Sequence, residues 1–292
     1  MSNILSIQSH VAFGHVGNAV ITLPLQRLGH NVWPVHTVML SNHAGYPDHG
    51  GRAVPVDELA DVIDALDRRG ALARCDGVLS GYLGDAAVGE VVLDAVARVR
   101  KYNDKALYCC DPVIGDGGEI YVGPGIPEFF SALAAPAADV LTPNLFELSV
   151  LTGSHPHTLD GAPLDDIIAV ARTLIAPGRR TSTILVTSLT HAALAPTDVA
   201  IAAITETGGW IVTTPKLSFA TSPHGAGDCC AALFCSALLE DGDPATALSR
   251  AASAVYALLE ETARLGKNEF ALVEAQDLMV EPERIFRVET IF

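Results

Sequence analysis

The stretch SPHGAGDCCAALFCSALLEDG, residues 222–242, joins a glycine-rich turn that carries one carboxylate to a long apolar segment. Between Asp228 and Gly242 there is no Gly or Pro and the residues are good helix formers, so we expect a helix. Apolar residues lie on nearly every face of that helix, which predicts that it is buried. A buried helix that begins in a Gly-rich turn presents free backbone amides, and these favour an anion.

Asp228, at the mouth of this helix, has two interpretations. Beside an anion-binding turn, the carboxylate would act as a base and not as a ligand of the anion. An acidic residue in the first turn also stabilises a helix by complementing its dipole. The stretch alone leaves both open.

Short apolar runs alternate with helical patterns along most of the chain. This alternation indicates βαβ units and a mainly parallel sheet, and we predict an α/β fold in one domain, residues 1–292. The predicted strands are NILSIQ, NVWPVHTV, DGVLSG, ALYCCDP, ADVLTPN and STILVTS, then a hairpin of DVAIAAIT and GWIVTTP. The predicted helices before residue 222 are GNAVITLPLQRLG, VDELADVIDALDRRG, AVGEVVLDAVARVRKY and PLDDIIAVARTLIA.

Composition restricts the partners. The chain has 18 basic and 34 acidic residues, a net charge of −16, which argues against nucleic acid and anionic membranes as ligands. We see no run long enough to cross a bilayer and no secretory leader in MSNILSIQSH, so we expect a cytoplasmic protein. The six cysteines lie in apolar surroundings without C-x-x-C spacing, which indicates reduced core thiols.

Few cations are available for phosphate chemistry, so backbone amides, a helix terminus and a divalent metal would have to neutralise a phosphate. Ligands of open parallel sheets bind beyond the carboxyl ends of the strands. Asp111 follows the strand ALYCC, and Glu147 lies in TPNLFEL. Both suit Mg²⁺, which is usually held by one or two carboxylates and by substrate phosphates. Glu147 has an alternative role as the capping-box partner of Asn144.

Two nucleotide signatures are missing. The chain has no G-x-x-x-x-G-K-[ST] motif, which excludes a P-loop protein. GHVGN follows the first strand but is only G-x-x-G, and no acidic residue ends the second strand to hold a ribose. A dinucleotide-binding dehydrogenase is therefore disfavoured.

Several motifs together resemble one family. They are IQSHVAFGHVGN, SNH, LSGYLG, CDPVIGD, TPNLFELSVLTG and the Gly-x-Gly-Asp turn. In this order and spacing they resemble the pyridoxal kinases, a branch of the ribokinase-like superfamily. The resemblance extends over nearly the whole chain, including the C-terminal EFALVEAQDLMVEPERIF. It implies a three-layer α/β/α fold around the mainly parallel sheet.

The resemblance also implies a reaction. The γ-phosphoryl group of ATP would pass to the 5′-hydroxymethyl group of pyridoxal. By similarity Asp228 is the catalytic base, and the amides of Gly225, Ala226 and Gly227 stabilise the transferred charge. Many superfamily members carry Thr at the position of Ala226, so here the anion site would consist of backbone alone.

Binding roles follow by similarity in the same way. The vitamin would contact Ser9, His43, Ala44, Gly45 and Tyr82. The nucleotide and its metal would lie near Asp111, Asp116, Thr142, Glu147, Thr187, Ser188 and TPKL, which is Thr214, Pro215, Lys216 and Leu217. Asp111 and Glu147 would be the residues at Mg²⁺. GDGGEIYVGPG, residues 115–125, resembles the family's flexible lid, although it lacks the cysteine of some members. A potassium requirement and a homodimer are implied too.

Three functions stay open. The first is an ATP-dependent pyridoxal kinase. The second is a kinase of hydroxymethylpyrimidine or a sugar on the same scaffold, and the third is a vitamin B6 binding protein without catalysis. Ser9 and Tyr82 suit a flat heterocycle better than a polyol, and an intact Asp228 argues against a pure binder.

Overall fold

The computed structural model describes residues 1–155, 158–219 and 221–292. Its strands are β1 (Asn3–Val11), β2 (Asn31–Leu40), β3 (Gly51–Ala53), β4 (Gly77–Ser80), β5 (Leu107–Cys110), β6 (Gly115–Asp116), β7 (Glu119–Ile120), β8 (Val140–Leu141), β9 (Thr183–Leu189), β10 (Asp198–Thr205), β11 (Gly209–Pro215) and β12 (Glu289–Thr290). Its α-helices are α1 (Asn18–Arg27), α2 (Val56–Arg68), α3 (Val88–Tyr102), α4 (Ile126–Phe129), α5 (Ala135–Ala137), α6 (Leu145–Thr152), α7 (Leu164–Arg172), α8 (Ala226–Asp241), α9 (Pro244–Arg264) and α10 (Gln276–Val280). A 3₁₀ turn covers Leu72–Arg74, and a π-helical segment, Phe130–Ala134, joins α4 to α5.

The central sheet has the order β3-β2-β1-β4-β5-β8-β9-β10-β11-β12. The six strands from β2 to β9 in this order pair in parallel, and antiparallel strands flank them on both sides. The carboxyl ends of the parallel strands therefore lie along one edge of the sheet, which is where ligands bind in such folds. This confirms the α/β prediction with a mainly parallel sheet.

Helices cover both faces of this sheet and produce two apolar cores. On one face, α2, α3, α6 and α7 contribute Leu59, Val92, Leu148 and Ile167 to a buried cluster. On the other, α1, α8, α9 and α10 contribute a second cluster that includes Ile21, Phe234, Leu248 and Met279. The predicted three-layer α/β/α arrangement is confirmed. Of the described residues, no helix combines the length and hydropathy needed to cross a membrane.

All the strands predicted from the sequence are present, although the one in ADVLTPN is reduced to the two residues of β8. The helix predicted after Asp228 is α8, and it ends at Gly242, whose φ of 69° lies in the left-handed region that favours glycine. Several elements were not predicted. They are the edge strands β3 and β12, the β6–β7 hairpin, which forms a separate two-stranded sheet inside residues 115–125, and the helices α4, α5, α9 and α10 with the 3₁₀ and π-helical segments. All six cysteines are buried and free, as predicted.

Helix α8 holds the turn that precedes it in place, because nine of the sixteen residues of the helix are buried in the core. We expect Leu233→Ala, at a position that is 4% exposed, to lower the free energy of unfolding by about 2–5 kcal/mol through lost apolar contact and a residual cavity. Urea unfolding of the full chain measures this change. Leu133→Ala is the matched control at a position that is 51% exposed, where the effect should stay within about 0.5 kcal/mol. Equal losses in the two variants would contradict the assignment of α8 to the core.

Candidate active site

The site begins at the turn before α8. Gly225 is the N-cap residue with φ 95°, and no side chain of the described residues caps the helix. The amides at the start of α8 are consequently available to an anion. A methyl group on Gly225 would lie 2.1 Å from the carbonyl oxygen of His15, so the turn packs tightly against the loop between β1 and α1.

Asp228 stands in the first turn of α8 and faces the same loop. Its Oδ2 accepts a hydrogen bond from the amide of Gly17 at 2.9 Å, which fixes the orientation of the carboxylate. The described residues give Oδ1 no hydrogen bond, so this oxygen is free to accept a proton. Desolvation raises the pKa of Asp228 despite the opposing Gly17 amide.

Two further carboxylates lie near Asp228, at the carboxyl ends of the sheet strands. Asp111 follows β5, and its Oδ1 accepts a hydrogen bond from Thr142 Oγ1 at 2.8 Å. Burial, and then the charge of Asp228, raise the pKa of Asp111 to about 8. Burial and the charge of Asp111 raise the pKa of Glu147 in turn. Among the described residues no Lys, Arg or His forms an ion pair with any of the three.

Glu147 is a capping residue, which confirms one of its two predicted roles. Its Oε2 accepts the amide of Asn144 at 2.9 Å, and Asn144 Oδ1 accepts the amide of Glu147 at 2.8 Å. Its Oε1 accepts the amide of Ile114 at 3.0 Å. Both oxygens therefore accept a hydrogen bond from a backbone amide, whereas no donor among the described residues bonds to Oδ2 of Asp111.

This donor set fits Mg²⁺. The carboxylates are hard oxygen ligands. Burial, and then the charge of a neighbouring carboxylate, raise the pKa values of Asp111 and Glu147, and a divalent cation would stabilise their ionised forms. Asp111 would hold the ion through its free oxygen. Glu147 would act through water, since its oxygens are already bonded to the backbone.

Two of the predicted vitamin-binding residues, Ser9 and Tyr82, lie at the carboxyl ends of the neighbouring strands β1 and β4. Ser9 is buried, and a methyl group on Gly17 would lie 2.3 Å from Ser9 Oγ, so the two residues are in direct contact. Tyr82 is half-buried, and its carbonyl oxygen accepts a hydrogen bond from Thr37 Oγ1 at 2.6 Å. Ser9 is thus one contact away from the amide that holds Asp228.

The loop of residues 41–50, which we name the acceptor loop, contains His43, Ala44 and Gly45. The His43 ring stacks on that of His224, with centroids 3.8 Å apart. Burial, and then His224, lower the pKa of His43 to about 4, so this imidazole is neutral near pH 7. Ala44 and Gly45 are exposed.

The predicted nucleotide-binding residues divide into two groups. Thr187 and Ser188 lie at the carboxyl end of β9, where Thr187 is buried and donates its amide to the Pro143 carbonyl at 2.9 Å. Ser188 is exposed with φ 49°, a strained conformation for a residue other than glycine, and such strain clusters at functional sites. The second group ends β11. There Thr214 is buried, Leu217 is half-buried, and Pro215 and Lys216 are exposed.

Asp116 is exposed on the β6–β7 hairpin, near the acidic cluster of Asp111, Glu147 and Asp228. Asn144 Nδ2 donates to the Gly115 carbonyl at 2.9 Å, which ties this hairpin to the residue that caps Glu147. Tyr121 follows the hairpin. It is 58% exposed. Desolvation, and then the charges of Glu147, Asp111, Asp228 and Asp116, raise its pKa.

Sequence reasoning missed five residues of this region: Gly17, Tyr46, Tyr121, His224 and Glu269. Gly17 lies inside GHVGN, and only its contact with Asp228 in three dimensions reveals its role. Tyr46 Oη donates a hydrogen bond to Glu269 Oε1, over a separation of 223 residues. The one available signal was the position of His224 directly before the Gly-x-Gly-Asp turn.

The turn at Gly225 allows a matched comparison. Gly225→Ala places a methyl group 2.1 Å from the His15 carbonyl in a left-handed conformation, so we expect a loss of at least about 2 kcal/mol of stability. At Gly227 a methyl group would meet nothing within 4 Å, and Gly227→Ala should be neutral or stabilising by up to about 1 kcal/mol. Chemical unfolding of both variants measures this difference. Equal stabilities would contradict the close approach of the two loops.

Comparisons with known proteins agree with this geometry. The family model described as phosphomethylpyrimidine kinase matches residues 52–272. Pyridoxal kinase PdxY of Rubrobacter xylanophilus is 47% identical over 99% of this chain and 97% of its own length. Pyridoxal kinase PdxY of Granulibacter bethesdensis is 48% identical over 97% of this chain and 98% of its own.

A solved structure agrees over the full length. The pyridoxal kinase of Leishmania donovani, in complex with ADP and pyridoxamine, superposes with a TM-score of 0.89 at 28% identity and covers 100% of both chains. The turn before α8, the acidic cluster and the acceptor loop all lie within the matched length. The chain belongs to the pyridoxal kinase family, within the kinases that the phosphomethylpyrimidine kinase model describes.

Proposed function

We propose that this protein transfers the γ-phosphoryl group of ATP to the 5′-hydroxymethyl group of pyridoxal and so produces pyridoxal 5′-phosphate. Family membership supports the reaction, as do relatives named pyridoxal kinase and a related structure that holds ADP with pyridoxamine. One observation carries the proposal. The carboxylate of Asp228 is oriented by the Gly17 amide beside the uncapped amides of α8, which puts a base next to an anion site.

Asp228 is the base in this proposal. Its free Oδ1 accepts the proton of the alcohol while Oδ2 remains bonded to the Gly17 amide, so the carboxylate keeps its orientation during the transfer. The amides of Gly225, Ala226 and Gly227 stabilise the charge on the transferred group. Since Ala226 has no hydroxyl, this stabilisation comes from the backbone alone.

Asp111 and Glu147 would hold Mg²⁺ in this proposal, and the ion would neutralise charge on the phosphates of ATP. Thr142 orients Asp111 through the 2.8 Å hydrogen bond to Oδ1. A potassium requirement is proposed by resemblance to the family.

The substrates have separate sets of residues. Ser9 hydrogen-bonds the pyridine ring, Tyr82 lies beside it, and the acceptor loop covers it. The nucleotide lies along Thr187, Ser188 and residues 214–217, with Asp116 approaching its phosphates from the lid, residues 115–125. Closure of the lid excludes water and suppresses hydrolysis of ATP. We also propose that residues 1–292 form one domain of a cytoplasmic homodimer.

Hydroxymethylpyrimidine is the second candidate acceptor. The family model that matches residues 52–272 is that of phosphomethylpyrimidine kinase, which favours this candidate over a sugar. Both molecules present a hydroxymethyl group on a flat heterocycle, so the same base and anion site would serve either.

Asp228→Asn tests the base. We expect the variant to lose about 10²–10⁴-fold in kcat for pyridoxal, since the amide cannot take the alcohol proton. ADP release and pyridoxal 5′-phosphate formation are measured together, with pyridoxal, hydroxymethylpyrimidine and ribose as rival acceptors and magnesium present. Asp277→Asn, on an aspartate whose side chain is 86% exposed, is the matched control and should keep full activity.

The outcomes separate the candidates. Faster turnover of hydroxymethylpyrimidine than of pyridoxal would overturn the substrate and keep the mechanism. Tight binding of pyridoxal without turnover of any acceptor would overturn the kinase and favour a binding protein. Full activity of Asp228→Asn would show that another group is the base.

The pH dependence of the reaction follows from Asp228. Its pKa in the free enzyme is raised by desolvation, and only the ionised carboxylate accepts a proton. We therefore expect kcat/KM for the acceptor to rise with pH through this raised pKa and to fall below it. Pre-steady-state rates between pH 4.5 and 9 measure the profile. An acidic limb at the ordinary aspartate pKa, or the same limb in Asp228→Asn, would contradict the assignment.

A further inference from the structure

The acceptor loop is a closed unit between β2 and β3. The Ser41 amide donates to the Gly50 carbonyl at 2.8 Å, and the Gly50 amide donates to Ser41 Oγ at 2.8 Å, so the two ends of the loop are joined. Within the loop, Asn42 Nδ2 donates to the Asp48 carbonyl at 2.8 Å. These hydrogen bonds hold the shape of the loop, whose ends lie close together as in other compact surface loops. Its position over the site is then set by its contacts with the rest of the chain.

The first of these contacts is the His43–His224 stack, with an interplanar angle of 21°. His43 Nδ1 accepts the Gly45 amide at 3.0 Å, which assigns the ring proton to Nε2. His224 directly precedes Gly225, so the stack joins the acceptor loop to the turn whose amides form the anion site. The charged or titratable groups around His43 are His224, Glu269 and His49.

The second contact is the hydrogen bond from Tyr46 Oη to Glu269 Oε1. The Phe13 ring packs edge-on against Tyr46, with centroids 6.5 Å apart. A methyl group on Gly14 would lie 2.2 Å from Glu269 Oε2, so the same carboxylate also packs on the β1–α1 loop. Glu269 thereby joins the acceptor loop to the loop whose Gly17 amide holds Asp228.

We propose that these two contacts form a clasp, and that Tyr46, His224 and Glu269 are positioning residues that control entry of the alcohol acceptor. The clasp keeps the acceptor loop closed over Asp228, and it must open for the acceptor to enter and for the product to leave. The identity of the acceptor as pyridoxal rests on the proposed function, whereas the clasp rests on the contacts alone.

A gate has a kinetic signature that an ordinary binding contact lacks. Where the closed form predominates, weakening the clasp leaves the affinity for the acceptor nearly unchanged, because the bound state is still the closed one. The association and dissociation rates both increase with the open population. The ring of His43 reports that population, since it is desolvated only in the closed form. When most protonation occurs in the open form, each tenfold gain in that form raises the apparent pKa of His43 by about one.

Tyr46→Phe and His224→Ala each remove one contact of the clasp. Stopped-flow binding of pyridoxal to the full chain should show association and dissociation rates that both rise about tenfold, with Kd changed less than about twofold. NMR titration of His43 in Tyr46→Phe, without ligands, should give a pKa near about 5 where the wild type has about 4. His224→Phe restores a flat ring and should restore slow binding. ATP association should be unchanged in all variants.

The matched control is Tyr102→Phe, which removes another tyrosine–carboxylate bond, from Tyr102 Oη to Asp67 Oδ1 at 3.1 Å, at the exposed end of α3. It should leave both the binding rates and the titration of His43 unchanged. Rates that stay at the wild-type values in Tyr46→Phe would overturn the clasp, as would a rise in Kd with an unchanged association rate. If pyridoxal does not bind at all, the proposed function fails, and the His43 titration alone decides the clasp. A pKa that remains near about 4 in Tyr46→Phe overturns it, and a rise supports it.

Discussion

The hydrogen bond from the Gly17 amide to Asp228 Oδ2 joins the β1–α1 loop to the first turn of α8, over a separation of 211 residues. This hydrogen bond requires glycine at two positions. Gly17 lies against Ser9, Gly225 lies against the His15 carbonyl, and neither position has room for a methyl group. Because α8 is packed into the core, its first turn cannot move to accommodate a displaced loop. The orientation of the Asp228 carboxylate therefore depends on a close approach of two backbone segments that glycine alone permits.

The acidic cluster places three partly or fully buried carboxyl groups close together, which is unfavourable for the folded chain without a ligand. Asp111, Glu147 and Asp228 are desolvated near one another, and within the described residues no basic side chain compensates them. Burial, and then the neighbouring carboxylate, raise the pKa values of Asp111 and Glu147, and burial raises the pKa of Asp228, so ionisation of the three side chains is disfavoured. A divalent cation bound as proposed would stabilise their ionised forms.

Sequence predicted the parts whose determinants are local. The uninterrupted run after Asp228 specified α8, alternation specified the strands, and N-x-x-E specified the capping box of Asn144 and Glu147. Glu147 can cap α6 and also act at a metal ion only if a water molecule lies between its carboxylate and the ion, and no sequence pattern predicts such a water. The contacts of Tyr46 and His224 join distant segments and have no periodicity, so they required the structure. The positive φ of Ser188 was not predicted either, because this residue lies where the pairing of β9 with β10 shifts register between Val186 and Leu189.

The family model matches only part of the candidate site. Residues 52–272 contain Asp111, Glu147, Asp228 and the anion turn, and of the proposed acceptor-binding residues they contain Tyr82, whereas Ser9 and the acceptor loop lie outside the match. The relatives named pyridoxal kinase, in contrast, match nearly the whole chain. Phosphoryl transfer needs a base, amides and a metal, and these do not depend on which alcohol is bound. Recognition of the acceptor depends on side chains and loop contacts, which can change while the backbone anion site stays the same. Acceptor choice in this scaffold should therefore follow β1 and residues 41–50 more closely than the Gly-x-Gly-Asp turn.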